Sequence, residues 1–196
     1  ATITITVTCT NDGPILSGTS DPAAIAELID ASAQDLGPIA GSFAVADADI
    51  GNTIEPSLVN GPVVALDGAA FTLPTTAETL VAANAFSLTG ATSDGGSVDI
   101  DYSYDPGAAD LDFLSEGEAL TLTYTVQVSD GTTDSAVQDV TITITGTNDI
   151  PVVTADAQTI DEDGILTSNV PVATDVDGTI PTDGYDLVDD VTQGML

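Results

Sequence analysis

Apolar and polar residues alternate along much of this chain, which is the pattern of half-buried β-strands. The longest runs are residues 98–104 (VDIDYSY), 120–128 (LTLTYTVQV) and 140–145 (VTITIT). A Ser-Asp-Gly turn at residues 129–131 follows the second run. We therefore predict that the second and third runs form an antiparallel hairpin.

Weaker signals lie nearer the N-terminus. Phe43 and Val45 predict a further strand that ends at Asp47. Residues 22–33 and 76–86 are rich in Ala and Leu but weakly capped, so each is a candidate short helix. Because strands between Gly- and Asp-rich turns dominate, we predict an all-β fold, a β-sandwich with one or two short helices at most.

One segment occurs twice in the chain. Residues 4–14 read TITVTCTNDGP and residues 141–151 read TITITGTNDIP, so that eight of eleven positions are identical at a constant offset of 137. Such repetition is typical of tandem arrays. We expect residues 1–12 to be the last strand of a preceding repeat or a donated strand. Residues 13–149 would form one complete domain, and residues 150–196 would begin another.

The charge of the chain limits its chemistry. It contains 32 Asp and Glu but no Lys, Arg or His, so its formal net charge is −32. These absences exclude a Ser-His-Asp triad, a lysine Schiff base, a histidine metal site and an arginine clamp on phosphate. Nucleic acid and anionic membranes are disfavoured as partners, and no run approaches the roughly 20 apolar residues that span a bilayer. We therefore expect that the protein is not an enzyme.

No acidic side chain can find a cationic side chain within this sequence. We favour divalent cations as the compensating charge, with adaptation to a salty medium as the alternative. Asp outnumbers Glu by 26 to 6, and Asp suits turns and compact oxygen-ligand sites. The single Cys9 excludes an intramolecular disulfide. We expect it to be a small residue on a strand, with an intermolecular disulfide as the alternative.

Residues 102–153, from YSYDPG to NDIPVV, closely resemble the VCBS repeat of giant bacterial adhesins and RTX-adhesin-like surface proteins. Residues 160–164 (IDEDG) and 173–179 (ATDVDGT) resemble the start of a cadherin-like repeat. The resemblance implies immunoglobulin-like or cadherin-like sandwiches arranged head to tail, secretion to the cell surface, calcium at the junctions and no catalysis. The total absence of Lys and Arg departs from the usual composition of such repeats.

Calcium binds six to eight oxygens from carboxylates, amides and carbonyls, and two acidic sets meet this need. Residues two apart on an extended segment point the same way, so an Asp-x-Asp pair can reach one ion. For the second junction we predict Asn148, Asp149, Glu162 (with Asp161 or Asp163 beside it), Asp175 and Asp177 as ligands. For the first junction we predict Asn11, Asp12, Asp47 and Asp49, with Glu27 in the role of Glu162 and Asp130 reaching either end. A further cluster, Asp110, Asp112, Glu116 and Glu118, is left open between loop ligands and plain surface.

The expected function is structural. The chain would be a calcium-stabilised repeat of a secreted adhesin or surface filament, giving rigid extension and cohesion. Its partners would be neighbouring repeats or identical subunits, with any cell-surface or glycan target elsewhere in the protein. The alternative is a self-polymerising fibre subunit, in which residues 1–12 of one chain complete the sheet of another. Calcium-dependent carbohydrate binding is a lesser alternative.

Overall fold

The structure is a computed structural model. It describes residues 1–18, 21–29, 33–155, 157–159, 161, 164–165 and 171–181.

Strands dominate this part of the chain, together with one 3₁₀ helix at Thr75–Val81. The first seven strands are β1 (Ile15–Ser17), β2 (Ile25–Ala26), β3 (Gln34–Asp35), β4 (Ile39–Ala46), β5 (Thr53–Leu66), β6 (Ala69–Ala70) and β7 (Phe86–Thr89). The others are β8 (Ala91–Thr92), β9 (Ser97–Tyr104), β10 (Ala108–Ala109), β11 (Ala119–Ser129), β12 (Gln138–Thr145), β13 (Val152–Val153) and β14 (Ala173–Thr174). The fold is therefore all-β, as predicted.

Two sheets carry most of the strands. A four-stranded antiparallel sheet has the order β1-β4-β9-β7, and a six-stranded sheet has the order β2-β12-β11-β5-β6 with β8 also paired to β5. Every pairing in the larger sheet is antiparallel except that of β2 with β12, which is parallel. Two short ladders, β3 with β10 and β13 with β14, lie outside these two sheets in the described part of the chain.

The two sheets contribute to one apolar core, because alternate residues of their long strands are buried. On β11 every second side chain from Leu120 to Val128 is buried, and β9 buries Ile100, Tyr102 and Tyr104 in the same cluster. Phe86 of the smaller sheet stacks on Tyr124 of the larger one with ring centroids 4.4 Å apart.

Two buried tyrosines share one acceptor within this core. The hydroxyls of Tyr104 and Tyr124 both donate to the carbonyl oxygen of Leu80 in the 3₁₀ helix, at 3.0 and 3.3 Å. Burial raises the pKa of Tyr124 to about 12, and burial also raises the pKa of Tyr104. The 3₁₀ helix is thus fixed to both sheets through a satisfied polar contact, as buried hydroxyls require.

Most of the predicted strands are confirmed. The hairpin is β11 and β12, in register from Ala119 opposite Thr145 to Val126 opposite Gln138. The run at 98–104 lies in β9, and Phe43 and Val45 lie in β4.

The helix predicted over residues 22–33 is wrong where the structure describes it. Residues 25 and 26 form β2, and the N–H of Glu27 donates to the carbonyl oxygen of Thr145 at 2.9 Å. A weak, uncapped helical segment gains less from local bonds than from pairing with a formed sheet. The second predicted helix, 76–86, exists only as the 3₁₀ turn Thr75–Val81, because the strand β7 begins at Phe86.

The strand expected over residues 1–12 stays a prediction, because the preceding repeat or partner sheet that it would join is not among the described residues, in which residues 1–14 contain no strand. Ile3, Ile5 and Val7 are 86%, 82% and 81% exposed. A strand needs a neighbour that accepts its hydrogen bonds and covers its apolar face. The alternation in this segment therefore has nothing to pair with in the described chain.

The close contact between Gly41 and Tyr102 allows the packing of the core to be tested. The two residues are cross-strand partners, and a Cβ on Gly41 would lie 2.3 Å from the Tyr102 hydroxyl oxygen. The Tyr102 ring stacks on both Phe43 and Phe86, at 5.6 and 5.4 Å, so it has little room to move.

We expect Gly41→Ala to lower the free energy of unfolding by about 1–3 kcal/mol through overpacking, measured by urea unfolding. Replacing Gly by Ala also reduces the conformational entropy of the unfolded chain, which stabilises the folded state by roughly 0.4–1 kcal/mol. The destabilisation by overpacking is larger than this gain. The matched control is Gly61→Ala in β5, where no atom lies within 4 Å of the added Cβ, and it should be neutral or stabilising. Equal unfolding midpoints for the two variants would contradict the overpacking.

Candidate metal centre

Three acidic side chains meet where the larger sheet ends. Glu27, Asp112 and Asp149 each place a carboxylate oxygen within 4.8 Å of the other two. Glu27 is 3% exposed and Asp149 is 2% exposed, and Asp112 is partly buried. We call this set the acidic triad.

Glu27 reaches the triad because of the parallel pairing between β2 and β12. Because of that pairing, Glu27 lies beside the residues that follow β12. The N–H of Thr147 donates to Glu27 Oε2 at 3.1 Å, and the Thr147 hydroxyl donates to the Glu27 carbonyl oxygen at 3.2 Å. Asp149 follows two residues later, so its carboxylate lies beside that of Glu27.

Asp112 comes from the turn between β10 and β11. Leu111 and Leu114 on either side of it are fully buried, and the N–H of Leu114 donates to the carbonyl oxygen of Leu111 at 2.9 Å. This turn lies against Gly146, where a Cβ would be 2.3 Å from the Ser115 carbonyl oxygen. The absence of a side chain at position 146 is thus what allows the turn, and with it Asp112, to approach Asp149.

A fourth acidic residue comes from the segment that follows the domain. The N–H of Asp149 donates to Asp177 Oδ1 at 3.3 Å, and the Ser115 hydroxyl donates to the Asp177 carbonyl oxygen at 3.2 Å. Asp175 accepts a bond from the N–H of Gly178 at 2.9 Å. The predicted Asp-x-Asp pair therefore lies next to the triad.

The electrostatics of the triad are unfavourable without a cation. Glu27 Oε1 and Asp112 Oδ1 are buried and accept no hydrogen bond from the part of the chain that the structure describes. Two carboxylates about 4 Å apart repel by roughly 4 kcal/mol at the effective dielectric of a protein surface. Since the sequence has no Lys, Arg or His, no side chain can offset this repulsion.

The pKa values of the cluster respond to this environment. Burial, together with the charges of Asp149, Asp112 and Asp177, raises the pKa of Glu27 to about 7, against the lowering effect of the hydrogen bond from Thr147. Burial also raises the pKa of Asp112, with Asp110 and Asp149 adding to it. Burial and the hydrogen bond to Asp175 raise the pKa of Asp177. A bound divalent cation would reverse these shifts, because it favours the ionised forms.

A second group of acidic residues lies at the other end of the domain. The N–H of Asp12 donates to Asp49 Oδ2 and the N–H of Asp49 donates to Asp47 Oδ1, both at 2.8 Å. Asn11 Nδ2 donates to Asp130 Oδ2 at 2.8 Å, a bond that lowers the pKa of Asp130, together with the N–H of Thr133. Asp47 is 3% exposed, and its Oδ2 is buried without a hydrogen-bond partner among the described residues.

The structure therefore brings together Asn11, Asp12, Asp47 and Asp49, four of the residues predicted for the first end, with Asp130, which was predicted to reach either end. Asp130 belongs to this end and not to the other. A shallow cavity of about 420 Å³ lies beside Asp12 and Asp47.

The predicted set for the second end is brought together only in part. Asp149, Asp175 and Asp177 lie close to one another. Asn148 Nδ2 donates to the carbonyl oxygen of Asp149 at 2.6 Å. Glu162, with Asp163, lies outside the described residues.

One placement was wrong and one partner was missed. Glu27 was expected at the first end, but it lies at the second, because β2 pairs with the end of β12. Asp112 was left open in a loop cluster, and its role beside Asp149 was not predicted. The signal available in the sequence was the Asp-Leu-Asp spacing at 110–112, in which Leu111 fixes the turn to the core.

A scan against protein-family models finds no match, and no curated protein matches the chain. Among the described residues, no helix has the length and apolar character needed to cross a membrane.

In the presence of a chelator, we expect the free energy of unfolding to fall as pH rises from 4.5 to about 7. Across this window the unfolded chain releases the Glu27 proton while the folded chain keeps it, so the folded state is progressively disfavoured. The loss amounts to about 2–3 kcal/mol. The raised pKa values of Asp112 and Asp177 act in the same direction at lower pH.

Urea unfolding over this pH range measures the effect. The variant Glu27→Gln should flatten the profile and be more stable than the parent chain at the upper end of the range, because it carries no charge there. A profile that rises with pH across the window would contradict the raised pKa of Glu27.

Proposed function

We propose that the chain is a calcium-stabilised structural repeat of a secreted cell-surface protein, of the kind found in large bacterial adhesins. The observation that carries this proposal is the acidic triad of Glu27, Asp112 and Asp149. Two sheets that share one core support the immunoglobulin-like or cadherin-like sandwich that the resemblance implies.

The chemistry of the triad favours calcium over other metals. All of its side-chain donors are carboxylate oxygens, which hard cations prefer, and Cys9 is exposed in a distant part of the sequence. Calcium accepts six to eight oxygens in irregular geometry, whereas magnesium demands a near-ideal octahedron. The triad, Asp177 and nearby carbonyl groups suit the more tolerant ion.

The position of the triad suggests a mechanical role. Glu27 and Asp112 belong to the domain, Asp149 lies where the chain leaves it, and Asp177 belongs to the segment that follows. An ion held by residues on both sides of this exit would fix the direction in which the chain continues. A series of such junctions would behave as a rod and not as beads on a flexible string.

The two ends of the domain support the tandem arrangement. The N–H of Asp12 donates to Asp49, and the N–H of Asp149 donates to Asp177. Asp12 and Asp149 occupy the same place in the repeated segment. The same contact thus recurs at both ends, which is what head-to-tail units with equivalent junctions would give. The buried Asp47 makes the first end a second candidate calcium site.

The exposure of Ile3, Ile5 and Val7 favours a second candidate function. In this alternative, residues 1–12 pair with a sheet of another chain, and the subunits polymerise by β-strand complementation. Mass spectrometry of the native polypeptide distinguishes the two functions, because a much longer chain with many repeats favours the simple array.

Calcium at about 10 mM should raise the Tm of the chain by roughly 4–10 °C relative to chelator, if the affinity is that of extracellular modules. Glu27→Gln should remove most of this gain while raising the Tm in chelator at neutral pH. The matched control is Glu55→Gln on the exposed face of β5, which should keep the calcium effect. A calcium effect that survives in Glu27→Gln would rule out the triad as its source.

Calcium should also protect the backbone at the exit from the domain. The N–H groups of Thr147, Asp149 and Gly178 all donate to acidic side chains of this region. We expect calcium to slow their hydrogen exchange by at least about tenfold, since local opening must then release the ion. Gly107, whose N–H donates to Asp105 in the turn between β9 and β10, is the internal control. Equal protection of both regions would contradict a specific site.

A further inference from the structure

The two copies of the repeated segment differ in the structure, because one is a paired strand with buried side chains and the other is exposed. Residues 141–145 form the buried half of β12, with Ile142 and Ile144 fully buried. Residues 4–8 carry almost the same sequence, yet Ile5 and Val7 are exposed and unpaired with any sheet. Among the described residues, the N-terminal copy therefore pairs with no sheet.

At one position the N-terminal copy has a side chain where the domain has no space for one. Cys9 corresponds to Gly146 at the constant offset. A Cβ at Gly146 would lie 2.3 Å from the carbonyl oxygen of Ser115 and 2.8 Å from that of Leu114. Contacts this short involve backbone atoms on the opposing side, so no rotation of a side chain can relieve them.

The opposing turn is held from several directions and cannot easily withdraw. Leu114 is fully buried. The N–H of Ser115 donates to Glu118 Oε2 at 2.9 Å, and the N–H of Glu118 donates to the Ser115 carbonyl oxygen at 3.0 Å. Gly146 itself is bonded to the same turn, accepting from Gly117 at 3.0 Å and donating to Glu118 at 2.9 Å. Moving the turn would break these bonds and displace Asp112.

We propose that Cys9 excludes residues 1–12 from the β12 position of the 13–149 domain in every copy of this chain. The segment is instead the closing strand of a different β-domain. That domain has an open edge with apolar positions for Ile3, Ile5 and Val7, and it has room for a side chain where this domain meets Gly146.

This exclusion prevents a specific error of assembly. Without it, the N-terminal segment of one copy could displace β12 of another, since eight of eleven positions are identical. Such strand exchange is a recognised hazard of repeat proteins, and here it would be open-ended, giving dimers and longer chains. A single added side chain is sufficient to bar it, because the glycine site leaves no space.

The first test places the excluded side chain in the domain of the full chain. Gly146→Cys, under reducing conditions and in saturating calcium, should lower the Tm by more than about 5 °C, and Gly146→Ala should do the same. A Tm within about 1 °C of the parent chain for Gly146→Cys would overturn the proposal, because a cysteine would then fit the β12 position.

The second test removes the barrier. The full-length variants Cys9→Gly and Cys9→Ala are unfolded in urea, refolded at high concentration and analysed by light scattering. Cys9→Gly should give a several-fold larger fraction of dimers and longer chains than Cys9→Ala, which keeps the Cβ. Neither variant can form a disulfide, so the comparison isolates the added carbon. Equal fractions for the two variants, whether low or high, would overturn the proposal.

These tests are separate from that of the calcium site. If calcium left the Tm of the parent chain unchanged, the proposed function would fail, but the difference between the position-9 variants would still be measurable.

Discussion

The structure depends on the close approach between the end of β12 and the buried turn at residues 111–118. That approach is possible only because position 146 has no side chain, and it is fixed by backbone bonds between Gly146 and the turn. The approach brings Asp112 to the place where Asp149 leaves the sheet. The parallel pairing of β2 then adds Glu27 from the other side. Packing alone thus assembles three carboxylates in a protein that has no cationic side chain to offset them.

The cost of this assembly explains the expected dependence on a cation. A domain of this size has a net stability of only about 5–15 kcal/mol, and each close carboxylate pair removes a sizeable part of it. The apolar core opposes this cost, because alternate side chains of β9, β11 and β12 are buried in one cluster. The fold can therefore form around the triad, but the triad itself is a site of local weakness until its charge is balanced. Under the proposed function, an ion that balances this charge would fix the direction in which the chain leaves the domain.

The sequence allowed the long strands to be predicted, because a period of two is a local property that each strand shows by itself. Residues 98–104, 120–128 and 140–145 were identified in this way, and the short turn after Ser129 made the hairpin predictable. The contact between Glu27 and Thr147 was not predictable, since 120 residues separate them and only two residues of β2 carry the pairing. For residues 1–12 the expected strand stays a prediction. Its alternation is as clear as that of β12, but a local pattern does not say whether a partner sheet is present.

The acidic sites differ in predictability for the same reason. Asp12, Asp47 and Asp49 were grouped correctly because they lie at strand ends that a linear reading can place. Asp112 was not grouped with Asp149, because their proximity depends on Gly146. That residue has no side chain, so the turn at residues 111–118 can pack against it. A domain with a side chain at this position must hold its acidic turn farther from the closing strand. Its carboxylates would then be spaced differently around any ion. If both proposals hold, the residue at this position would set which strand can close the domain and how tightly the junction can bind a cation.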